Sequence, residues 1–372
     1  MHDGPGRRFT PGSKERVGED EMTEPRWRHR PEGSNWGDFG PDDQRGRLNL
    51  VTREKVLQGM AEVREGLVFC LSLPLDFPGG NLLNERRHPP VLRPTLRGDR
   101  PNFNCTLTGA ESARTDVFND DLAILYLQYS TQWDALSHVG GLFDVDGDGV
   151  AEKVFYNGFR AGEDIVGPTE TRDAGVQSDM ALHSTSHAGA LGIERMAAHG
   201  VQGRGVMIDL RAHYGDARVL VGYDALMRVI DADRIAIETG DMVCLHTGFA
   251  QRVLEMDRSP DRAVLHESCA VLDGRDERLL RWISDSGLAV LIADNYAVEA
   301  FPASEARHEC CSILPLHEHC LFKNGIHLGE LWHLTPLATW LREHDRTRFL
   351  LTAPPLRLPG AVGSPVTPIA TV

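Results

Sequence analysis

The amino-acid sequence predicts a mixed α/β fold in a single domain. From residue 191 onward, segments with apolar residues at helical spacing alternate with short apolar runs bounded by glycine or polar residues. No repeat, low-complexity tract or linker-like change of composition follows residue 50. The chain has 372 residues and is 41% hydrophobic, which is enough to bury a large core.

The first predicted helix begins after Thr52, a residue type that caps helices, and ends at Gly66. Its apolar positions recur at helical spacing: Val56, Leu57, Met60 and Val63. A strand is predicted over 67–73. Residues 74–104 are rich in Pro, Gly and Arg, and we expect a long irregular excursion over the surface or over a neighbouring subunit. Residues 121–129 are predicted to form a buried strand.

The alternating part of the chain predicts eight elements. In order these are helix 191–200, strand 204–210, helix 223–230, strand 240–248, helix 276–287, strand 288–295, helix 314–325 and helix 335–344. Thr335 is predicted to cap the last helix, with Pro336 in its first turn.

The two ends of the chain differ from this pattern. Residues 1–45 are rich in Gly, Pro, Arg and acidic side chains without apolar periodicity, which predicts a mobile N-terminal arm, with Met22 as a second candidate start. The domain is then expected to span 46–352, followed by a C-terminal extension over 353–372.

Composition excludes several classes of function. The formal net charge of −15 disfavours nucleic-acid binding, which depends on Lys and Arg, so a small-molecule substrate is expected. No apolar stretch approaches the roughly 20 residues that a membrane span requires, and the N-terminus lacks the apolar core of a secretory signal. Seven cysteines without CxxC spacing indicate reduced thiols. These features predict a cytoplasmic protein without a membrane partner.

Common catalytic motifs are absent. The sequence contains no GxSxG, HExxH or Walker loop, and 200–205 lacks the last glycine of a dinucleotide-binding loop. Residues 144–149, DVDGDG, begin like a calcium loop, but Phe155 occupies the twelfth position, where an EF-hand has glutamate. A solvated hairpin turn is the preferred interpretation, and calcium binding stays open.

The segment LQYSTQWDALSHVG, residues 127–140, places four polar side chains beyond an apolar run. They are Gln128, Gln132, Asp134 and His138. Asp134 and His138 are four residues apart and can meet if the chain turns into a helix at Trp133. A carboxylate can hold a divalent ion and an imidazole can transfer a proton, so the pair suits metal-assisted hydrolysis.

This segment resembles the first signature, HxGTHxDxPxH, of the cyclase family that includes bacterial kynurenine formamidase and isatin hydrolase. Thr131, Asp134 and His138 match the signature. Residues 316–332, LHEHCLFKNGIHLGELW, resemble the second signature, in which His317 and Glu330 take the positions of its histidine and glutamate. Similar segments lie between the two signatures in the same order, so the resemblance covers roughly residues 45–350.

The chain departs from the first signature at four positions. Gln128 and Gln132 stand where the family has two histidine ligands, Ser130 replaces glycine, and Leu136 replaces proline. Amide oxygen is a weaker ligand than imidazole for zinc or manganese. The resemblance implies two metal positions in the family, of which only the set Asp134, His317 and Glu330 is intact here. We therefore expect one divalent ion, Zn²⁺ or Mn²⁺.

The resemblance implies a hydrolase of a small amide, cyclic amide or imide, or lactone. Asp134, His317 and Glu330 would hold the ion, and His138 would act as general base. The implied fold is a compact α/β domain with a mixed sheet or barrel-like layer flanked by helices, assembled as a homodimer or homotetramer. A polyketide-type ring cyclase, which could work without metal, and a catalytically inactive ligand-binding relative remain alternatives.

Other polar residues are weaker candidates. Gln128, Gln132, Asp294 and Glu299 are expected to contact substrate or to support the ligands, because Asp294 and Glu299 follow a predicted buried strand. Five further histidines could supply an imidazole: His183, His187, His308, His319 and His327.

Overall fold

The computed structural model describes residues 26–106, 115–176, 183–303 and 312–372. Within these residues a curled, nine-stranded mixed sheet forms the centre of the molecule, with helices packed on both of its faces. The predicted mixed α/β fold in a single domain is therefore confirmed.

The described helices, in chain order, are α1 (Arg53–Ala61), α2 (Ile193–His199), α3 (Leu210–Tyr214), α4 (Tyr223–Ala232), α5 (Phe249–Glu255), α6 (Arg262–Glu267), α7 (Glu277–Asp285), α8 (Pro315–His317) and α9 (Thr335–Glu343). None of these described helices has the length and apolar character needed to cross a membrane.

The described strands, in chain order, are β1 (Val68–Cys70), β2 (Val91–Pro94), β3 (Leu96–Arg97), β4 (Arg100–Pro101), β5 (Cys105–Thr106), β6 (Val117–Phe118), β7 (Asp121–Ile124), β8 (Gln132–Asp134), β9 (Gly141–Phe143), β10 (Glu152–Val154), β11 (Ile165–Val166), β12 (His187–Ala188), β13 (Gln202–Asp209), β14 (Val219–Val221), β15 (Met242–His246), β16 (Ala270–Leu272), β17 (Val290–Ala293), β18 (His327–Glu330), β19 (Arg348–Thr352), β20 (Gly363–Pro365) and β21 (Ile369–Thr371). The central sheet has the order β1-β21-β19-β13-β15-β17-β18-β8-β20.

Four neighbouring strands of the central sheet are parallel: β13, β15, β17 and β18. Their carboxyl ends consequently lie along one edge of the sheet, which carries Asp209, His246, Ala293 and Glu330. β8 pairs with β18 in the antiparallel direction and brings its own polar residues to the same region. This edge is where open α/β sheets usually bind ligands.

Alternate residues of the central strands enter two cores, one on each face of the sheet. In β13, Val206 and Ile208 join the core that contains Leu226 of α4, whereas Met207 joins the core that contains Leu337 of α9. This is the period-two alternation expected of a strand that is covered on both faces. It explains why these strands read as continuous apolar runs in the sequence.

The predicted alternation between residues 191 and 344 is confirmed by α2, β13, α4, β15, α7, β17, α8 and α9. One detail is wrong. Thr335 is the first residue of α9 and does not cap it, because its Oγ1 lies 3.0 Å from His246 Nε2 and Leu334 takes the capping position. A tertiary hydrogen bond thus replaces the local one that the sequence suggested.

Helix α1 has the predicted cap, but of its apolar positions only Val56 packs against the core. The Thr52 side chain accepts a hydrogen bond from the Lys55 amide. Leu57 and Met60 are 53% and 55% exposed, whereas Lys55 and Gly59 are buried. A Cβ atom at Gly59 would lie 2.6 Å from the backbone of β13, so this glycine allows close approach of helix and sheet. The helix also ends at Ala61, before Gly66.

The predicted buried strand over 121–129 is wrong. Only β7 forms there, and it pairs with β2 in an exposed two-stranded sheet outside the central sheet. The buried strand of this region is β8, three residues long and fully buried. An apolar run predicts a strand but does not say which partner covers it.

Residues at both ends of the described chain belong to the domain. Trp36 is 1% exposed and donates through Nε1 to the Phe322 carbonyl at 2.8 Å, so at least this part of the predicted mobile arm is packed. β20 and β21, within the predicted extension 353–372, are strands of the central sheet. Met22 lies outside the described residues.

Candidate active site

Three buried side chains converge beside the carboxyl end of β18. Asp134 ends β8, His317 ends α8 and Glu330 ends β18. One ligand atom from each lies within 4.8 Å of the others. The three residues are 1%, 3% and 3% exposed, respectively. The structure therefore brings together the ligand set that the family resemblance implied.

Strand register explains this convergence. In the antiparallel pair of β8 and β18, Gln132 lies opposite Glu330, and Asp134 follows on the same face two residues later. Trp133 points to the other face, where its ring packs edge-on against that of Trp332 at 5.0 Å between centroids. Since the two buried tryptophans pack together on the opposite face, the polar side chains of β8 face the site. The chain does not turn into a helix at Trp133, the condition under which the sequence allowed Asp134 and His138 to meet, because Trp133 is the centre of β8.

Glu299 fixes the orientation of His317. Its fully buried carboxylate accepts hydrogen bonds from the amides of Leu316 and His317, each at 3.0 Å, and lies 2.8 Å from His317 Nδ1. This contact places a proton on Nδ1 and turns Nε2 toward Glu330, at 3.3 Å. Glu299 thus supports a ligand, as the sequence allowed. A π-helical turn over Glu318–Lys323 follows His317, a feature frequent at functional sites.

The cluster holds more negative than positive charge when its carboxyl groups are ionised. Burial raises the pKa of Asp134, and the charge of Glu330 adds to this rise. Burial alone would raise the pKa of Glu330, but the hydrogen bond with His317 and the positive charges of His317, Arg87 and His138 together outweigh burial and lower this pKa. Burial lowers the pKa of His317, yet its bonds to Glu299 and Glu330 outweigh burial and raise the pKa to about 10. A cluster with this excess of negative charge favours binding of a proton, or of a metal cation that replaces the proton.

His138 lies at the rim of the cluster. Its Nε2 is 3.8 Å from Asp134 Oδ1, and its side chain is 22% exposed. A turn closed by the His138 amide and the Ala135 carbonyl, at 2.9 Å, brings the two residues together without a helix. The imidazole is therefore near the clustered residues and open to solvent, as a proton-transferring group must be.

The two glutamines differ in position. Gln132 Nε2 lies 3.1 Å from Glu330 Oε2 and 3.4 Å from Asp134 Oδ1, so its amide is part of the cluster. Gln128 points toward β20 instead, since a Cβ atom at Gly363 would lie 2.4 Å from Gln128 Nε2. Gln132 Oε1 and Gln128 Nε2 are both buried and lack a hydrogen-bond partner in the described part of the chain.

The donor set fits a divalent ion. Two carboxylates and one imidazole are ligands that both zinc and manganese accept. The unpartnered Gln132 Oε1 adds a neutral oxygen that can reach the same point after rotation of the amide. An unpaired buried acceptor is costly, so an occupant that uses it would stabilise the site.

Asp294 stabilises a turn of the backbone. Its fully buried carboxylate accepts bonds from the Thr247 amide at 2.7 Å, the Thr247 hydroxyl at 2.6 Å and the Gly248 amide at 2.7 Å. These contacts hold the turn that follows β15. Burial raises the pKa of Asp294. The structure does not bring Asp294 into the cluster.

None of the described additional histidines joins the cluster. His183 and His187 are exposed. His319 is hydrogen-bonded to Ser284 at 2.7 Å, and burial lowers its pKa to about 4. His327 begins β18, and burial lowers its pKa to about 3. His308 lies outside the described residues.

Sequence reasoning missed a group of polar residues beside the cluster. Arg87 and Asn84 come from the irregular segment after β1, and together with Gln128 and Tyr296 they line a narrow cleft. No periodicity or spacing marks these residues. The only signal was the unusual length and Arg content of residues 74–104.

Residues 144–149 form the predicted hairpin turn, between β9 and β10. The Asp144 carboxylate accepts the Gly147 and Gly149 amides at 2.7 and 2.9 Å. Asp146 and Glu152 converge with Asp144 but also lie near Arg160, at 3.6 and 3.3 Å. Each of these acidic side chains therefore has a hydrogen-bond or ion-pair partner within the protein.

Comparison with known proteins identifies the family. The Cyclase family model matches residues 71–300. A crystal structure of a novel cyclase is 29% identical, with a TM-score of 0.67, and the match covers 91% of this chain and 97% of that one. Isatin hydrolase A from Labrenzia aggregata, bound to benzyl benzoate, is 13% identical, with a TM-score of 0.50 and coverage of 85% and 97%. An isatin hydrolase bound to the product analogue thioisatinate is also 13% identical, with a TM-score of 0.50 and coverage of 86% and 99%.

The search of curated proteins finds no match to the chain. The family match spans more than half of the chain, and the novel cyclase aligns along nearly its whole length. The chain belongs to the Cyclase family.

Proposed function

We propose that the protein is a metal-dependent hydrolase that cleaves the acyl C–N or C–O bond of a small amide, cyclic amide or imide, or lactone. The observation that carries this proposal is the convergence of Asp134, His317 and Glu330 within 4.8 Å, with His138 at the rim. Membership of the Cyclase family and a fold shared with isatin hydrolases support it.

Asp134, Glu330 and Nε2 of His317 would hold one Zn²⁺ or Mn²⁺ ion, with the Gln132 amide as a neighbour. An ion bound there would supply positive charge that polarises an acyl carbonyl and acidifies water. Glu299 keeps the His317 proton on Nδ1, which leaves the lone pair of Nε2 directed into the cluster.

His138 would carry the proton. Its Nε2 faces the cluster at 3.8 Å from Asp134, and its 22% exposure leaves room for substrate on the solvent side. In the proposed reaction Nε2 accepts a proton from the attacking water and then donates it to the leaving nitrogen or oxygen. Asp134 beside it stabilises the imidazolium that exists between these steps.

Elemental analysis of chelator-free protein tests the metal. We expect about one divalent ion per chain, because one ligand set is intact, and we expect Asp134→Ala to lose that ion. Formyl amides, cyclic imides and lactones should be screened with the same sample. Two tightly held ions per chain would contradict the single site. A metal-free protein that hydrolyses none of these compounds would contradict the function.

One observation favours a second candidate, a ligand-binding relative without hydrolytic activity. Gln132 already donates to Glu330 and lies near Asp134, so its amide partly replaces a cation between the carboxylates. Specific binding of a small ligand by protein that neither holds metal nor hydrolyses would support this candidate.

A further inference from the structure

Arg87 is a half-buried arginine with most of its donors unused. The Nη1 atom donates to the Gln128 carbonyl at 2.7 Å, which anchors the guanidinium beside the segment that leads into β8. Arg87 forms no ion pair and no other hydrogen bond with any residue that the structure describes. In a chain of net charge −15, an arginine without a carboxylate partner in such a place is unusual.

The guanidinium lies near the candidate site without touching its carboxylates. Burial is the main influence on the pKa values of Asp134, Glu330 and Tyr296, and the charge of Arg87 lowers all three. The positive charge of Arg87 therefore acts on the cluster. The N–H groups of Arg87 that form no hydrogen bond remain available for another anion.

A narrow cleft lies in front of Arg87. Its lining includes Asn84, Gln128 and Tyr296 as well as Arg87, together with residues of the segment 78–83 and Tyr129. The Tyr296 hydroxyl accepts a hydrogen bond from Asn84 Nδ2 at 3.2 Å and has no acceptor for its own proton among the described residues. The guanidinium of Arg87 and the hydroxyl of Tyr296 thus bring unused hydrogen-bond donors to one cleft.

We propose that Arg87, with Tyr296, binds a carboxylate that the substrate carries next to its scissile acyl bond. The inference rests on the proposed function and names its substrate class, an acyl compound with a free carboxylate. The planar guanidinium can donate two parallel hydrogen bonds to a carboxylate, and the tyrosine hydroxyl can add a third. A neutral substrate would leave the guanidinium without a partner.

Ligand binding tests the inference without turnover. The probes are benzoate and benzamide, which share a ring and differ in charge, titrated calorimetrically into the metal-loaded full chain. We expect Arg87→Gln to weaken benzoate binding roughly 10- to 100-fold and to leave benzamide unaffected. Arg87→Lys should recover only part of the affinity, because it keeps the charge and loses the planar fork.

Arg86→Gln is the matched control. Arg86 is the exposed neighbour on the same segment, so its substitution removes the same charge without entering the cleft. Metal content should be equal in all variants, so that weaker benzoate binding can be attributed to loss of the arginine and not to loss of the ion. Benzoate binding that is unchanged in Arg87→Gln, or equally weakened in Arg86→Gln, would overturn the inference.

A kinetic comparison separates the inference from the proposed function. If N-formyl amino acids are hydrolysed, Arg87→Gln should raise their KM by a similar factor with little change in kcat, and leave the corresponding carboxamides unaffected. Hydrolysis with the same KM in wild type and Arg87→Gln would refute the role of Arg87 while the function stands. Loss of benzoate binding in Arg87→Gln, in a protein that hydrolyses nothing, would refute the function while the anion site stands.

Discussion

At the scale of single residues, His138 differs from the three converging side chains. Asp134, His317 and Glu330 are almost fully buried, whereas the His138 side chain is 22% exposed and lies 3.8 Å from Asp134. A ligand must face the ion, but a proton carrier must also meet substrate and solvent. The exposed position therefore fits the second role.

Replacing His138 with Asn should lower kcat about 10²- to 10⁴-fold and leave the metal content nearly unchanged, because a general base contributes this much without holding the ion. Asp134→Ala should remove activity and metal together. Steady-state kinetics on a hydrolysed substrate and elemental analysis check both results. His183→Asn is the control for loss of an exposed imidazole. Full activity in His138→Asn would contradict the role of His138 as general base. Loss of metal in this variant would show that His138 is a metal ligand.

At the scale of elements, a buried charge cluster joins α1 to the sheet. Asp241, 0% exposed, precedes β15 and accepts bonds from Lys55 Nζ at 3.0 Å and from Arg204 Nε and Nη2 at 2.8 and 2.9 Å. Lys55 belongs to α1 and Arg204 to β13. Since Leu57 and Met60 point outward, α1 is attached to the sheet by this cluster, by the close approach at Gly59 and by the packing of Val56.

Asp241→Asn should lower the free energy of unfolding by about 3–5 kcal/mol, because it removes the buried counter-ion of two buried cations and leaves them only the half-exposed Glu238. Urea unfolding followed by circular dichroism measures the change. Glu238→Gln is the matched control. Glu238 contacts the same cations from a side chain that is 48% exposed, so its loss should cost less than about 1 kcal/mol. Equal costs for the two variants would show that the buried cluster does not stabilise the fold.

At the scale of the whole molecule, a set of small strand pairs outside the central sheet, the hairpin region, exposes apolar side chains. It comprises the described residues from β2 to β7, and Leu92, Leu96 and Val117 there are 68%, 74% and 60% exposed. Exposed apolar surface of this kind suits contact with a second copy of the protein.

We therefore propose a homodimer or homotetramer in which this hairpin region packs against a neighbouring subunit. Light scattering at micromolar concentration should give a mass of two or four chains. Replacing Leu92 and Leu96 together with Asp should shift the protein toward monomer, because the buried apolar contact is lost. Leu142→Asp, at a position 72% exposed on β9, is the control and should leave the mass unchanged. A monomeric wild-type protein would contradict the proposal.

The sequence by itself determined the α/β alternation between residues 191 and 344 and the identity of the clustered residues. The alternation was readable because helix and strand periods, caps and glycine boundaries are local properties of the chain. Asp134, His317 and Glu330 were readable because they fall within two compact signatures. The sequence also singled out Gln132, at a position where the signature has histidine, but not the bonds that its amide forms.

Only the tertiary structure decided which faces are covered and which distant residues meet. The spacing of Leu57 and Met60 predicts a helix, but whether its apolar face meets a core depends on packing, and here the glycine face does. The pairing of Gln132 with Glu330 follows from the register of β8 and β18, strands nearly 200 residues apart in the chain. Arg87 belongs to a segment without periodicity, and one hydrogen bond to the Gln128 carbonyl holds it beside the residues that lead into β8. Contacts of this kind arise from the packing of the whole chain, so no local pattern records them.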